Sequence, residues 1–328
     1  MVDAKGTFPI VLAHGIARPD YLIDSVVRTL NLSIYDFGLL SDRFHYFRGI
    51  ASFLRKHGFR VYHSRVSFAA DVETRARDLK QEIFRILEET GAPRVHIIAH
   101  SMGGLDARYM IVQEDMAPYV ASLTTIGTPH FGTPIADYVL SIGMDRLIDA
   151  FKLFINFEGI SSVTTYNVQR FNELARHQEA INSVVYQTYS SYQDRERVFF
   201  IFQKSWDLIY EKEGPNDGLV SVNSQRWVER LIGDDGTVKH IVQREFPFKA
   251  DHLEQVGWWN LNKMLKVGWW NIFALGERIQ HENRIKQVYL DIARGLRNLQ
   301  SGSGPVVTGK DLESSSSNSA VKTKRSTK

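Results

Sequence analysis

Ser101 stands between His100 and Met102 in the stretch RVHIIAHSMGGLDARYM, residues 94–110. A mostly apolar run leads into it, Gly103 and Gly104 follow it, and helix-forming residues come next. A core strand has no use for that serine. A plain turn has no use for paired glycines so close behind it. A strand, then Ala99-His100-Ser101-Met102-Gly103, then a helix is the nucleophile-elbow arrangement, with Ala99 where the usual pattern has its first glycine. The turn is tight, so residues two positions from the serine must be small. It lifts the hydroxyl above the sheet edge and sets it at a helix N-terminus, where developing negative charge is favoured. The chemistry this serves is nucleophilic attack on an acyl carbon. The plainer alternative is a strand–helix connection in which Ser101 only caps the helix.

A serine hydroxyl is a weak nucleophile and needs a base oriented by an acid. On such an elbow the acid and then the base follow later in the chain. The later histidines are His130, His177, His240, His252 and His281. His130 comes too soon to leave room for an acid from a later strand. His177 falls in an inserted region, His240 opens an expected strand, and His281 lies in a late helical segment. His252, in FKADHLEQVG, follows the last expected strand on a loop, where the carboxyl end of a sheet can deliver a base. Asp217, in GPNDGLVS, has the right place in the order for the acid. Its Asn-Asp-Gly setting equally suits a turn in which the carboxylate only serves backbone. Asp207, Asp234 and Asp235 are rivals, with Asp234-Asp235-Gly236 reading as a surface turn. For an oxyanion, the backbone N–H groups of Ile16 and Met102 can converge above Ser101. His14-Gly15 lets the chain pass close to the site.

These residues need a scaffold. FPIVLAHG and residues 59–66 read as strands, with a helix ending near Gly58 between them. Residues 71–90 form the clearest helix: Asp71 caps it, Val72, Ala76, Leu79, Ile83, Ile86 and Leu87 share a face, and Gly91 ends it. Residues 94–100 are a run of the kind buried in parallel sheets. A helix over 102–114 follows, then strands at 120–127, 197–202 and 240–246. Alternating strands and helices predict an α/β fold with a mostly parallel sheet flanked by helices. The stretch 133–196 breaks that rhythm and reads as a helical insertion over the sheet, rich in apolar residues from Tyr138 to Phe157. Residues 258–299 are helical and carry Trp258, Trp259, Trp269 and Trp270. The Ser-rich basic segment 301–328 reads as a disordered tail after a domain over 1–300.

Composition narrows the function. The net charge is only +3 over 328 residues. No basic stripe with interleaved aromatics occurs, so nucleic acid is not the favoured partner. The chain has no cysteine, which excludes disulfides, thiolate catalysis and cysteine metal sites. No apolar run is long enough to span a bilayer, and the N-terminus lacks the pattern of a secretory signal. A soluble, cytoplasmic protein is the expectation. Nothing in the sequence specifies an oligomeric state.

VLAHGI, YFRGIASFLRKHGFRVY, IIAHSMGGLDARYM, TTIGTPHFGTPIADYV, PNDGLVS and DHLEQVGW, in that order over residues 8 to 259, carry a resemblance. The sequence resembles the bacterial true lipases of the α/β-hydrolase superfamily. It is still more similar to the related intracellular triacylglycerol lipases known from yeast mitochondria. The resemblance implies Ser101 as nucleophile, Asp217 as acid, His252 as base, and Ile16 and Met102 as oxyanion donors. It also implies that the segment after GTPHFGTP is a mobile lid over an acyl pocket. Secreted members hold a structural calcium with two aspartates, one of them just after the catalytic histidine. Glu254 takes that place here, and the stretch between Trp206 and Asn216 is short for the other. No obligatory metal and no other cofactor is therefore expected.

The implied activity is ester hydrolysis through an acyl-enzyme, with a lipid or other acyl ester as substrate. An unperturbed imidazole titrates near about 6.5, so a histidine base predicts a neutral to alkaline optimum. The rivals are a short-chain carboxylesterase or acyl-protein thioesterase on the same fold, and a non-catalytic lipid- or partner-binding protein. The paired tryptophans offer peripheral contact with a lipid interface, since indoles favour that position.

Overall fold

The short apolar runs become parallel strands in the structure, a computed structural model that describes residues 7–15, 46–67, 70–142, 157–258 and 272–300. β1 (Ile10–Ala13) and β3 (Val95–His100) are buried along their whole length. With β2 (Val61–His63), β4 (Val120–Ile126), β5 (Val185–Ser190) and β8 (Val242–Glu245) they form a six-stranded sheet of order β2-β1-β3-β4-β5-β8. Every neighbouring pair is parallel, with Ala13 beside Ala99, Ala99 beside Thr125 and Thr125 beside Thr188. The strands thus end along one edge. From β1 the chain runs to β2 on one side and returns to β3 on the other, and the crevice at such a reversal is where α/β sheets bind ligands. His14-Gly15 and Ser101 leave the sheet there. β6 (Arg230–Ile232) and β7 (Val238–His240) form a separate antiparallel hairpin, with Gly236 at φ 83° in its turn.

Both faces of the sheet are covered. α1 (Ile50–Lys56) and α9 (Ile272–Gln300) pack with Ile10, Leu12, Ile98 and Ile126 on one face. α2 (Val72–Thr90) and α3 (Met102–Gln113) cover Val11, Ala13, Ile97 and Ala99 on the other. α2 shows why such a sequence makes a helix. The Asp71 carboxylate accepts from Thr74 N–H at 2.8 Å, Leu79, Ile83 and Ile86 are buried, and Gly91 takes the left-handed φ of 63° at the end. Truncating one of those aliphatic side chains to alanine costs about 2–5 kcal/mol.

The expected strand at 197–202 is not one. The chain turns through Asp194–Val198, forms a tight 3₁₀ turn at Phe200–Phe202 and continues into α7 (Gln203–Glu213), with the short α8 (Val222–Arg226) after it. Val198, Phe199 and Phe202 are buried all the same, and short apolar runs of this kind suit either state. The fifth strand is β5, inside the region expected as an insertion over 133–196, so the helical insertion ends before Val185. Its described helices are α4 (Pro134–Ile142), α5 (Phe157–Ser162) and α6 (Thr165–Ile181). The expected strand over 240–246 is broken at Ile241, with His240 ending β7 and β8 beginning at Val242. Residues 143–156, Trp259, Trp269, Trp270 and the tail over 301–328 lie outside the described residues. Trp258 is buried, and its indole N–H donates to the Tyr46 carbonyl at 3.1 Å. No described helix is long and apolar enough to cross a membrane.

Candidate active site

Ser101 joins β3 to α3 with φ 56° and ψ −136°, a conformation uncommon for any residue but glycine. Strain of that kind costs about 1–3 kcal/mol and persists only when its surroundings fix it. Here Ser101 N–H donates to the Ile126 carbonyl at 2.9 Å, and the Thr128 hydroxyl donates to the Ser101 carbonyl at 2.8 Å. The small neighbours are needed for space. A Cβ on Gly103 would lie 2.6 Å from the Ala13 carbonyl oxygen, and one on Gly15 would lie 2.7 Å from the Ser101 Cβ. The Ser101 side chain makes no cap bond to α3, which removes the plain capping alternative.

Asp217 and His252 are both buried and meet through the Asp217 Oδ2 and His252 Nδ1 atoms at 2.8 Å. A second link joins the two residues, from His252 N–H to the Asp217 carbonyl at 2.9 Å. The carboxylate selects the tautomer with hydrogen on Nδ1, which leaves Nε2 as the basic nitrogen. Asp217 does serve its turn, as its sequence setting allowed. Its Oδ1 accepts from Leu219 N–H at 3.0 Å and Val220 N–H at 2.8 Å, which leaves Oδ2 for the histidine. Ser101 and His252 line the same cavity, together with Met102. Met102 opens α3, so its backbone N–H lacks an intrahelical acceptor. Ile16, the other expected oxyanion donor, lies outside the described residues. The chain just before it is held by Arg75, whose guanidinium donates to the His14 carbonyl at 2.7 Å and to Asp106 at 2.9 Å.

The rival residues lie elsewhere. Asp207 pairs with Arg195 at the surface, and Asp234 pairs with Arg176 on the β6–β7 turn. Asp235 accepts from Thr237 N–H at 3.0 Å in the same turn. His177 accepts from Asp234 N–H at 3.1 Å. His130 stacks on Trp227 beside Arg108, and burial holds its imidazole well below the ordinary range. His281 is packed against Phe248.

Three residues of the site carried no expectation. The His100 ring lies 4.5 Å from that of His252. Its Nδ1 accepts from the Tyr46 hydroxyl at 2.6 Å, and its Nε2 faces Gln255 Oε1 at 3.1 Å. Gln255 in turn donates to Asp217 Oδ2 at 2.8 Å. The available signal was position alone: His100 precedes the nucleophile, and Gln255 follows His252 by one turn.

The residues at the place of the family's calcium do not suit a metal. Glu254 Oε2 accepts from Gln193 Nε2 and from Asp251 N–H, both at 3.0 Å. Asp251 accepts backbone N–H groups from Phe199, Leu253 and Glu254. Protein donors thus occupy both Asp251 oxygens and Glu254 Oε2, which a cation would need. Among the described residues no group of three or more His, Asp or Glu side chains is arranged for a metal.

The cavity has a volume of about 70 Å3. Away from Ser101 and His252 it is walled by Ile135, Ala136 and Val139 of α4, Ile160 and Val163 after it, and Leu219. A hydroxyl that shares its cavity with a carboxylate-held imidazole and opens onto such a wall can attack an acyl carbon and bury the attached hydrocarbon.

Comparison with known proteins agrees with this chemistry. The PGAP1-like alpha/beta domain matches residues 71–197. Triacylglycerol lipase 2 of Saccharomyces cerevisiae is 29% identical over 318 residues, which cover 87% of this chain and 91% of that protein. A triacylglycerol lipase of Pseudarthrobacter phenanthrenivorans is 36% identical over 177 residues, so the chain spans only 48% of that relative's length. The Staphylococcus hyicus lipase structure superposes with a TM-score of 0.54 at 17% identity, covering 90% of this chain and 96% of that one, a likeness of fold. The chain is thus similar in sequence to triacylglycerol lipases, over most of its length in the yeast relative, and similar in fold to a solved lipase.

Proposed function

We propose that this chain is a triacylglycerol lipase-like ester hydrolase in which Ser101, His252 and Asp217 form the catalytic triad. The observation that carries the reading is the Asp217–His252 hydrogen bond at 2.8 Å beside a strained, uncapped Ser101 that lines the same apolar cavity. His252 Nε2 takes the Ser101 proton as Oγ attacks the ester carbonyl. Asp217 holds the resulting imidazolium through Nδ1. The backbone N–H groups of Ile16 and Met102 receive the oxyanion. The tetrahedral adduct collapses, His252 protonates the departing alcohol, and water repeats the cycle on the acyl-enzyme.

The apolar wall supports a long acyl group rather than an acetyl. The relatives named as triacylglycerol lipases support a lipid ester as substrate. Tyr138 and Leu140 of α4, both exposed, support contact of this rim with a lipid surface. The committed donors around Glu254 and Asp251 support turnover without a bound metal. Hydrolysis of p-nitrophenyl esters from acetate to palmitate tests the substrate class. Rates should rise toward the longer chains, and a preference for acetate over laurate would turn the assignment to a short-chain esterase. EDTA should leave the rate unchanged, and its loss with recovery on added calcium would overturn the metal-free reading.

A further inference from the structure

Asp217 is fully buried, and four N–H groups converge on its carboxylate: Leu219 and Val220 backbone on Oδ1, His252 and Gln255 side chains on Oδ2. The Gln255 amide has one orientation that fits. With Nε2 on the carboxylate, Oε1 must accept from His100, so His100 carries its hydrogen on Nε2 and its Nδ1 accepts from Tyr46. Tyr46, His100 and Gln255 therefore form a row of donors that all point toward Asp217. Burial first, and the neighbouring His252 second, keep His100 neutral, with its pKa well below the ordinary range. No member of the row then adds positive charge beside the imidazolium that forms on His252.

The backbone makes room for this amide. Gly127, at φ 58° after β4, is where a Cβ would lie 2.3 Å from Gln255 Oε1. Gln255 is held from behind as well: its N–H donates to the Asp251 carbonyl at 3.1 Å, and its carbonyl accepts from the Tyr289 hydroxyl of α9 at 3.2 Å. Glu254, its neighbour, turns instead to Gln193. A buried amide satisfied at both ends and given space by a left-handed glycine is a built feature.

We propose that Gln255 is a positioning residue for the hydrolysis, the end of a neutral Tyr46–His100–Gln255 relay that aims the Asp217 carboxylate at His252. This rests on the reading of Ser101, Asp217 and His252 as the triad. Gln255 touches neither substrate nor the reacting atoms and acts through Asp217.

The test is the pH profile of kcat/KM for wild type, Gln255→Met, Gln255→Glu and Tyr46→Phe, with Ser101→Ala as reference. Gln255→Met keeps the length of the side chain and removes its donor to the carboxylate, so kcat should fall roughly 10- to 100-fold with KM within about twofold. Gln255→Glu brings a second carboxylate toward His252, so the acid limb should move up by about one pH unit. Tyr46→Phe removes the hydroxyl that opens the row, on a ring that also lines the cavity, and should lower kcat by about three- to tenfold with KM within about twofold. If Gln255→Met does not fold, the Gln255→Glu and Tyr46→Phe profiles decide. Wild-type rates and an unmoved acid limb in those variants overturn the inference. Absence of Ser101-dependent hydrolysis in the wild type overturns instead the triad reading beneath it.

Discussion

Asp217 shows how one side chain holds two assignments at once. Its Oδ1 closes an Asx-type turn on Leu219 and Val220, while its Oδ2 faces His252 and Gln255. Taken alone, the Asn216-Asp217-Gly218 pattern favours a turn, and the turn is there; only its place in the chain order points to the acid. The second role needs His252 and Gln255, which arrive from 35 and 38 residues later, and no local pattern reports that meeting. Asp217→Asn keeps the turn acceptor and loses the charge, so it should fold near normally and lower kcat by about 10⁴-fold. A titration of urea unfolding beside the rate separates the two effects. If Asp217→Asn unfolds instead, the buried charge is needed for the fold as well as for the rate.

At the scale of elements, the elbow depends on close backbone approach between β1, β3 and α3. A methyl on Gly103 must displace the Ala13 and His14 carbonyls, which are fixed backbone groups. Gly103→Ala should therefore cost about 1–3 kcal/mol of stability and move Ser101 off its position, lowering activity more than stability alone explains. Calorimetry alongside the rate checks this, and an unchanged midpoint would show that the strands can part. On α4, Ala136 faces the acyl cavity. Ala136→Phe should shift preference toward short esters while leaving acetate turnover near wild type.

The elbow, α2 with its Asp71 cap and Gly91 stop, and the strands from 8 to 127 were legible because apolar period and punctuation agree there. β5 was not. Its sequence VYQTYS places Gln187 and Thr188 in the sheet interior, where Gln187 donates to Thr124 Oγ1 at 2.6 Å and Thr188 donates to the Arg226 carbonyl at 3.3 Å. Polar groups satisfied by distant partners hide a buried strand from any local pattern. The reverse held at 197–202, where an apolar run packs its rings from turns and a helix start. The proposed Ser101, Asp217 and His252 follow an order of residue types visible in the sequence, while the Tyr46–His100–Gln255 row follows no such order.

Across the whole molecule, buried polar groups set the response to pH and to mutation. Burial keeps His96 down at about 4 and holds His100 and His130 well below the ordinary value. Unfolding releases each to a pKa near about 6.5. Below that value the unfolded chain takes up protons that the folded chain refuses, so stability is lost as pH falls from about 6.5 toward the folded values. Each histidine adds a slope of up to about 1.4 kcal/mol per pH unit. Buried Asp106, raised to about 6, and Asp251, raised well above its ordinary value, take up protons first in the folded state and offset part of that slope. With three histidines against two carboxyls the melting midpoint should drop between pH 7 and pH 5, and a midpoint that rises there would contradict the buried neutral histidines. The same interior holds the Arg108–Glu179 pair at 2.8 Å, joining α3 to α6, with the guanidinium 3.9 Å over Trp227. Arg108→Met alone strands a buried carboxylate and should cost about 3–5 kcal/mol. Adding Glu179→Leu should restore part of that loss, as denaturant titration of the two variants will show.

The most direct measurement is peptide mapping by mass spectrometry after reaction with a fluorophosphonate, which labels only a serine activated by its neighbours. The expected result is one adduct on Ser101 in the wild type, with labelling abolished in Ser101→Ala and slowed by orders of magnitude in His252→Ala. Hydrolytic activity with no adduct on Ser101, or equal labelling of the His252→Ala protein, would contradict the proposed triad.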